Sequence, residues 1–336
     1  MKKILIALAV TAVSCHAFAQ GNMNPPPGAF SNGNPVAVMK TLDQIEPRQP
    51  IEELPALLNK PGSYYLTGSL TSAVAGIVIN SDDVKIDLGG FAVEGVDSPS
   101  SPGIGVASPH HNITIRNGVV RGWGHRGIGA GMAHESEIVA VTAFTNGNDG
   151  ILLGENGLIE SCGSFKNSGR GIVANKAATV RNCKVRDNTG GGIQIGVRGK
   201  ISGCVVANNG GTGIYATAYC AVRNCIVTSN GEAGIVIDKN CKVNGNSSGS
   251  NAAGAGILIR QTGNRIVSNN LTDNKYGIFT EPAGTNNLIV RNTASGNTVE
   301  NYQIDDNNAF GTRRLLLGEL GSAVGAWANF SLDKRP

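Results

Sequence analysis

Three charged residues stand immediately before a repeated glycine: Arg126 before Gly127, Asp149 before Gly150 and Arg170 before Gly171. Equivalent positions on successive turns of a β repeat stack about 4.8 Å apart. A carboxylate held between two guanidiniums is then one of two things. It is a cross-strand salt ladder, worth a few tenths of a kcal/mol to roughly 1 kcal/mol, or it is part of a site for an anionic sugar. Nearby in sequence are Arg121, Trp123, His125 and Asn148, together with His110 and His134, each seven residues beyond its glycine. Four of the five histidines fall between residues 110 and 134, in a chain with only 5% aromatic residues. Proton donors, cations and an indole gathered at one end make this stretch the candidate site. Solvated loop residues in longer turns would give the same cluster with no chemistry.

The elements that must position these residues follow from a repeat. Ten Gly-Ile dipeptides begin at Gly76, Gly103, Gly127, Gly150, Gly171, Gly192, Gly213, Gly234, Gly256 and Gly277. The first three intervals are 27, 24 and 23 residues and the rest are 21 or 22. A constant period of this length marks a solenoid with one turn per repeat. Counting from the glycine, +1 is always Ile and +3 is mostly apolar, the two-residue spacing of a strand face. Further apolar rows stand at +9 (Ile159, Val180, Ile201, Val222, Val243) and +12 (Cys162, Cys183, Cys204, Cys225). Three inward rows mean three strands per turn: an all-β parallel β-helix of about ten to eleven turns.

Asn146, Asn167, Asn188, Asn209 and Asn230 lie four residues before the glycine, with Asp273 continuing the row and Asn251 displaced by one. Asn tolerates the left-handed backbone of tight corners, and Asn182 and Asn224 begin a similar row at +11. The period alone explains these rows as corner ladders. The +12 cysteines read as small core residues, since a linear row cannot converge on a metal; no metal ligand set is evident. Cys220 and Cys241, both at +7, are compatible with a disulfide or with two free thiols. Residues Ile51 to Leu58 are expected to form a short capping helix over the first turn. The outward +2 row (Leu152, Val173, Gln194, Tyr215, Val236, Leu258, Phe279) is apolar, and is expected to be covered by the tail from Arg313 to Leu332 or by a protein partner.

Residues 1–19 read as a secretory signal peptide: Met1-Lys2-Lys3, an apolar run, then Ala17-Phe18-Ala19. A lipoprotein start at Cys15 is the alternative. Residues 20–40 read as a flexible leader, 41–310 as the β-helix with its cap and 311–336 as a tail. The protein is expected to be exported, periplasmic or extracellular, with no transmembrane segment. The formal charge of +4 falls to +2 when Lys2 and Lys3 leave. No run of Lys and Arg stands out, which argues against a nucleic-acid partner.

Several segments resemble a known group: Glu46-Pro47-Arg48, Pro61-Gly62-Ser63-Tyr64-Tyr65-Leu66-Thr67, Val84-Lys85-Ile86-Asp87-Leu88-Gly89-Gly90-Phe91, Arg116-Asn117-Gly118 and Arg121-Gly122-Trp123, with Ala328-Asn329-Phe330 near the end. The chain resembles bacterial exported right-handed parallel β-helix proteins of the pectate lyase-like superfamily, with PbH1-type repeats. The resemblance implies a right-handed coil and a polysaccharide, chiefly acidic, as partner. It also implies that a catalytic member would act by elimination at a uronate, with Ca²⁺ as the cofactor to look for. Arg126 or Arg170 would then be base or charge clamp, His125 or His134 the proton donor and Asp149 the intervening carboxylate, with Trp123, Arg121, His110 and Asn148 binding substrate. The Asp-Pro-His-Asp of alginate-type epimerases is not present; Ser108-Pro109-His110-His111 stands instead. The Gly-His-Gly of polygalacturonase-like hydrolases is also not matched, since Gly124-His125 is followed by Arg126. The competing reading is a non-catalytic structural or surface-interaction module, because the turns from 150 to 277 carry no long loops.

Overall fold

The computed structural model describes residues 30–31, 34–35, 48–96, 99–251, 253–315 and 327–331. Phe30–Ser31 and Asn34–Pro35 form a small antiparallel pair within a unit of their own, inside the expected leader. The expected signal peptide lies outside the described residues. The second unit, from Arg48 on, is a parallel β-helix.

Each turn contributes three short strands. The first face is a twelve-stranded sheet from Ala56–Leu58 to Glu300–Gln303, in which every strand pairs with its equivalent one turn away. Residues such as Leu158–Glu160 and Thr179–Arg181 build the second face, and Gly163–Phe165 and Lys184–Arg186 the third. In two early turns the second and third faces run together as the long strands Thr114–Arg121 and Glu137–Phe144. The +1 and +3 residues of the first face point inward and are buried, as are Val180, Ile201, Val222 and Val243 of the second. Full burial of such a side chain stabilises by about 1.5–3 kcal/mol.

No helix occurs among the described residues. The helix expected over Ile51 to Leu58 is instead two strands, Gln49–Ile51 and Ala56–Leu58, of which the second pairs with Ile77–Ile79. Pro50 and Pro55 lack the amide protons that a helix uses, and Pro55 disfavours helical backbone at Leu54. Ala56 lies 21 residues before Ile77, so the period itself reaches one turn further back than the Gly-Ile pairs do.

Glycine opens each first-face strand because two backbones meet there. A Cβ on Gly213 would lie 2.5 Å from a methyl of Val227 and 2.6 Å from the carbonyl oxygen of Gly234. The corner before it carries the asparagine ladder. Asn167 donates its Nδ2 to Asn188 Oδ1 at 2.9 Å, and Asn188 to Asn209 in the same way. The left-handed residue is the neighbour before each ladder amide: Lys166, Asp187, Asn208 and Ser229. The ladder asparagines are therefore required for their amides, not for backbone tolerance. Asp273, expected in the ladder, occupies the left-handed place, and Asn251, Asn274 and Asn297 continue the row. Asn182 and Asn224 do adopt the left-handed conformation.

The +12 cysteines stack in a column and hand over to Asn246, Asn269, Asn292 and Asn329. Thiol and amide satisfy the same carbonyls. Cys183 Sγ lies 3.2 Å from the oxygen of Arg181, two residues back, as Asn269 Nδ2 lies 3.1 Å from that of Val267. Cys220 and Cys241 begin a third column, continued by Asn264 and Asn287, and all six described cysteines are free and buried. Hydrogen bonding with Cys162 and Cys204, together with burial, pushes the Cys183 thiol far up. Hydrogen bonding with Cys204 and burial do the same for Cys225.

The described part of the tail extends the coil. Asn329–Ser331 pairs with Thr293–Ser295 and with Arg313–Leu315, so these segments add rungs at the far end of the third face. Residues 316–326 lie outside the described residues.

Candidate functional site

The first face turns its +2 side chains outward, and over the regular turns they floor a groove. Gln194, Tyr215, Val236, Leu258 and Phe279 line two adjoining cavities of about 390 and 380 Å³. Thr212, Glu232, Val236 and Arg260 belong to both, which joins them into one channel. One wall is the corner before the strands, with Asn148, Asp149, Arg170, Thr212 and Glu232 among small residues; Arg260 and Glu281 form the opposite rim.

The apolar stripe is thus a groove floor. Its members are half-buried by the groove itself, and Val236 is fully buried. The described tail segments sit at the far end of the third face and do not pair with the stripe.

Tyr215 is the best-organised polar group on the floor. Its hydroxyl donates to Asp238 Oδ2 at 2.8 Å, and the Arg260 guanidinium lies 5.5 Å from its ring centre. Arg260 Nε stands 3.7 Å from Glu281 Oε1. Burial, reinforced by the Asp238 carboxylate, raises the phenol above its ordinary range. The Tyr215 phenol therefore stays protonated at neutral pH. Further along, the rings of Tyr276 and Phe279 stack with centroids 5.1 Å apart.

The candidates read from the sequence divide among three places. Asn148, Asp149 and Arg170 line the near end of the groove. Asp149, with 9% of its side chain exposed, receives Arg126 Nε at 3.1 Å. It also accepts the backbone amide of Arg170 at 3.0 Å. The expected carboxylate between two guanidiniums is therefore corrected: Arg170 supplies its backbone, and its guanidinium makes no ion pair among the described residues. His125 belongs to the same corner, where its carbonyl accepts the Asn148 amide and its Nδ1 is buried without a partner.

Trp123 and Arg121 are elsewhere. Trp123 is 1% exposed, with Nε1 donating to the carbonyl of Val93 at 3.2 Å. It fills the core of an enlarged turn and offers no face to a sugar. Arg121, on the third face, pairs with Glu94 at 2.8 Å and covers the Phe144 ring.

His110 and His134 lie past the opposite end of the first-face strands. The expected +7 register does not hold: His134 pairs with His111, and His110 with Ala133. The shift comes from extra residues in these turns. His110 is held between Ser108 Oγ, 3.1 Å from Nε2, and Asp82 Oδ1, 3.1 Å from Nδ1. This is the atom order of a Ser–His–Asp relay. It lies on an open corner, with Asp82 56% exposed. Asp82 also accepts the His111 amide, and that bond with the His110 contact holds its carboxyl below the usual range.

Sequence reasoning did not single out Asp238, Arg260 or Glu281. All three are four residues past their glycines, so a column read at +4 would have found them. Among the described residues no group of three or more His, Cys, Asp or Glu side chains could hold a metal ion. Asp87 and Asp149 are each bonded to an arginine instead, so a calcium cluster does not fit these carboxylates. Among the described residues no helix is long and apolar enough to cross a membrane.

A parallel coil with ladder-lined corners and a grooved first face defines a recognisable class. The right-handed beta helix region model matches residues 70–200 and 173–312, and the chain belongs to that family. The structure is similar to the A-module of the mannuronan C-5 epimerase AlgE6 of Azotobacter vinelandii, with a TM-score of 0.64 and 16% identity over 86% of this chain and 90% of that one. It is similar to the A-module of AlgE4, from the same organism, with a TM-score of 0.59 and 14% identity over 78% and 88%. It also resembles the Dettilon tailspike protein, with a TM-score of 0.56 and 14% identity over 84% of this chain and 61% of the tailspike. At these identities the likeness is one of fold. No curated protein matches the sequence.

Proposed function

We propose that this is an exported carbohydrate-binding β-helix protein that seats a polysaccharide chain in the first-face groove. The observation that carries the reading is the groove's combination of a continuous apolar and aromatic floor with hydrogen-bonding rims. Sugar rings have apolar faces and polar edges, and a floor of Tyr215, Leu258 and Phe279 between Asp149, Arg170, Glu232 and Arg260 complements both. The groove spans successive rungs about 4.8 Å apart, so it suits an extended polymer better than a small ligand. Structural neighbours named as epimerases of mannuronan support a carbohydrate role.

A second reading, elimination at a uronate, is favoured by one observation: Arg170 and Tyr215 line the same cavity. Arg170 would clamp the substrate carboxylate, Glu232 on the same lining would take the C5 proton as the C4–C5 double bond forms, and protonated Tyr215 would give its proton to the leaving C4 oxygen. Arg126 is already engaged by Asp149, and His134 lies off the groove.

Affinity gel electrophoresis against alginate, polygalacturonate and a neutral glucan tests the binding reading, with ultraviolet absorbance reporting unsaturated ends. Retardation by at least one polymer is expected, with Tyr215→Ala weakening it about tenfold, or roughly 1.4 kcal/mol. No retardation by any polymer would overturn it. New absorbance that Arg170→Gln abolishes would establish the eliminating activity.

A further inference from the structure

The second face carries a feature that the linear sequence conceals. Its strands present two outward columns. One runs Thr179, Lys200, Ala221, Lys242, Arg265 and the other Arg181, Ser202, Arg223, Asn244, Val267, each residue in register with the next. Arg181 is paired with Glu160 at 2.7 Å. The next four rungs carry Lys200, Arg223, Lys242 and Arg265 in turn. All four are exposed, and none makes an ion pair among the described residues. Neither column contains a carboxylate over these rungs. The left-handed corner residues beside them, Gly203, Asn224, Gly245 and Ser268, are neutral.

Two observations indicate that this is more than a solvated surface. Lys242 and Arg265 are direct cross-strand neighbours, and like charges placed opposite one another destabilise a sheet. The free protein therefore holds an unfavourable pair that a bound anion would relieve. The same side chains, with Arg223, line a cleft of about 380 Å³, completed by Asn224, Asn244 and Val267. The charges form a row only one or two side chains wide, with one cation per rung of about 4.8 Å.

We propose that this stripe binds a linear polyanion, an acidic polysaccharide chain lying along the coil axis on the second face. The site is separate from the first-face groove and does not rest on the reading given to it. A narrow row inside a cleft suits a single extended chain, whereas a bilayer surface would call for a broad basic face. Carboxylates spaced along the polymer would meet Lys200, Arg223, Lys242 and Arg265 in succession, with Asn244 donating to them between the cations. Because the contacts are exposed ion pairs, binding would weaken steeply as salt rises and screens them.

The test measures binding of full-length protein to polygalacturonate and to its methyl-esterified, neutral form at several salt concentrations. The variant combining Lys200→Gln, Arg223→Gln, Lys242→Gln and Arg265→Gln should bind polygalacturonate at least tenfold more weakly, with a shallower salt dependence. Its binding of the neutral form should be unchanged. Lys200→Gln with Arg223→Gln, and Lys242→Gln with Arg265→Gln, should each lose about threefold; they keep the test decisive if the fourfold variant folds poorly. Tyr215→Ala, which disturbs only the groove, should leave the salt dependence intact, so the two sites fail independently. Equal affinity of wild type and variants for polygalacturonate would overturn the proposal. Tighter binding of the wild type to anionic phospholipid vesicles or duplex DNA than to polygalacturonate would also overturn it.

Discussion

The early turns, up to about residue 150, and the regular turns after them differ in what fastens one rung to the next. In the early turns, ion pairs join Asp87 with Arg116, Glu94 with Arg121 and Arg126 with Asp149 across rungs, and a hydrogen bond joins Asp82 with His110. Such pairs fasten turns whose lengths differ. In the regular turns a few such pairs persist, as Glu160 with Arg181 and Arg260 with Glu281, but the corners are fastened by stacked amides and thiols, and the second-face cations are left without ion-pair partners among the described residues. A cluster of reactive residue types thus marks where the coil is irregular, and the second-face row of cations without ion-pair partners stands where it is regular. The lesson is that in a stacked coil, neighbours in function are a full turn apart in sequence.

The sharpest way to break this contrast is to remove a ladder amide. Asn188 accepts from both the backbone and side-chain nitrogens of Asn167. Asn188→Ala should strand the Asn167 backbone amide, while Asn167 Nδ2 keeps the Ala143 carbonyl and Ser164 Oγ; at about 1–3 kcal/mol for a stranded buried donor, urea denaturation is expected to show a loss of about 3 kcal/mol. A loss under about 1 kcal/mol would mean the ladder does not fasten the regular turns. Asp149→Asn, at the boundary, weakens one charged contact while keeping an acceptor for the Arg170 amide. A loss of about 1–2 kcal/mol is expected by the same measurement.

The thiol column offers a gentler probe. Cys225 donates its amide to Asn246 and stands at the handover from thiol to amide. Cys225→Asn should extend the ladder by one rung and change stability by less than about 1 kcal/mol, since the amide meets acceptors the thiol already used. A larger loss would show that the column needs the smaller side chain.

The smallest expected effect is on acid stability, and it belongs to the early turns. Burial pushes the Asp87 carboxyl up, but the Gly89 amide, Arg116 and Asn117 outweigh it, and the net shift is below the usual range. A depressed folded value gives stability that is complete above the unfolded value, near 4, and is lost as pH falls through the folded value. Hydrogen exchange around pH 3 should therefore show the early turns opening before the regular ones. Asp87→Asn should remove that difference, and indifference to the substitution would assign the acid response elsewhere.

Much of the fold is legible in the sequence because a stacked coil repeats its instructions. The Gly-Ile period gives the first face, and the asparagine and cysteine rows give the corners. Legibility fails where that spacing is disturbed. The extra residues around Trp123 turn the indole into the core, and one extra residue between Ile104 and His110 shifts His110 by one place against His134. The rung at Ala56–Leu58 keeps the period but lacks the Gly-Ile marker, so eight residues with apolar ends pass for a helix. The candidate site was legible only at its edge, in Asn148, Asp149 and Arg170. Tyr215 is visible as a member of a stripe, but its partner Asp238 is on the next turn, in the +4 column, which carries no apolar or asparagine repeat to mark it. The cations of the second face were hidden for the same reason: Lys200 and Lys242 lie 42 residues apart in the chain and form no run.

One consequence of the ladder geometry concerns how such a chain is made. Most contacts of a rung are with the rung before and the rung after, so the loop to be closed at each step is one turn long however many turns exist. Lengthening the coil by duplicating a turn would leave the mean separation of contacting residues unchanged and would not slow folding through topology. A chain that emerges end first can in this way complete its early rungs before the later ones are available.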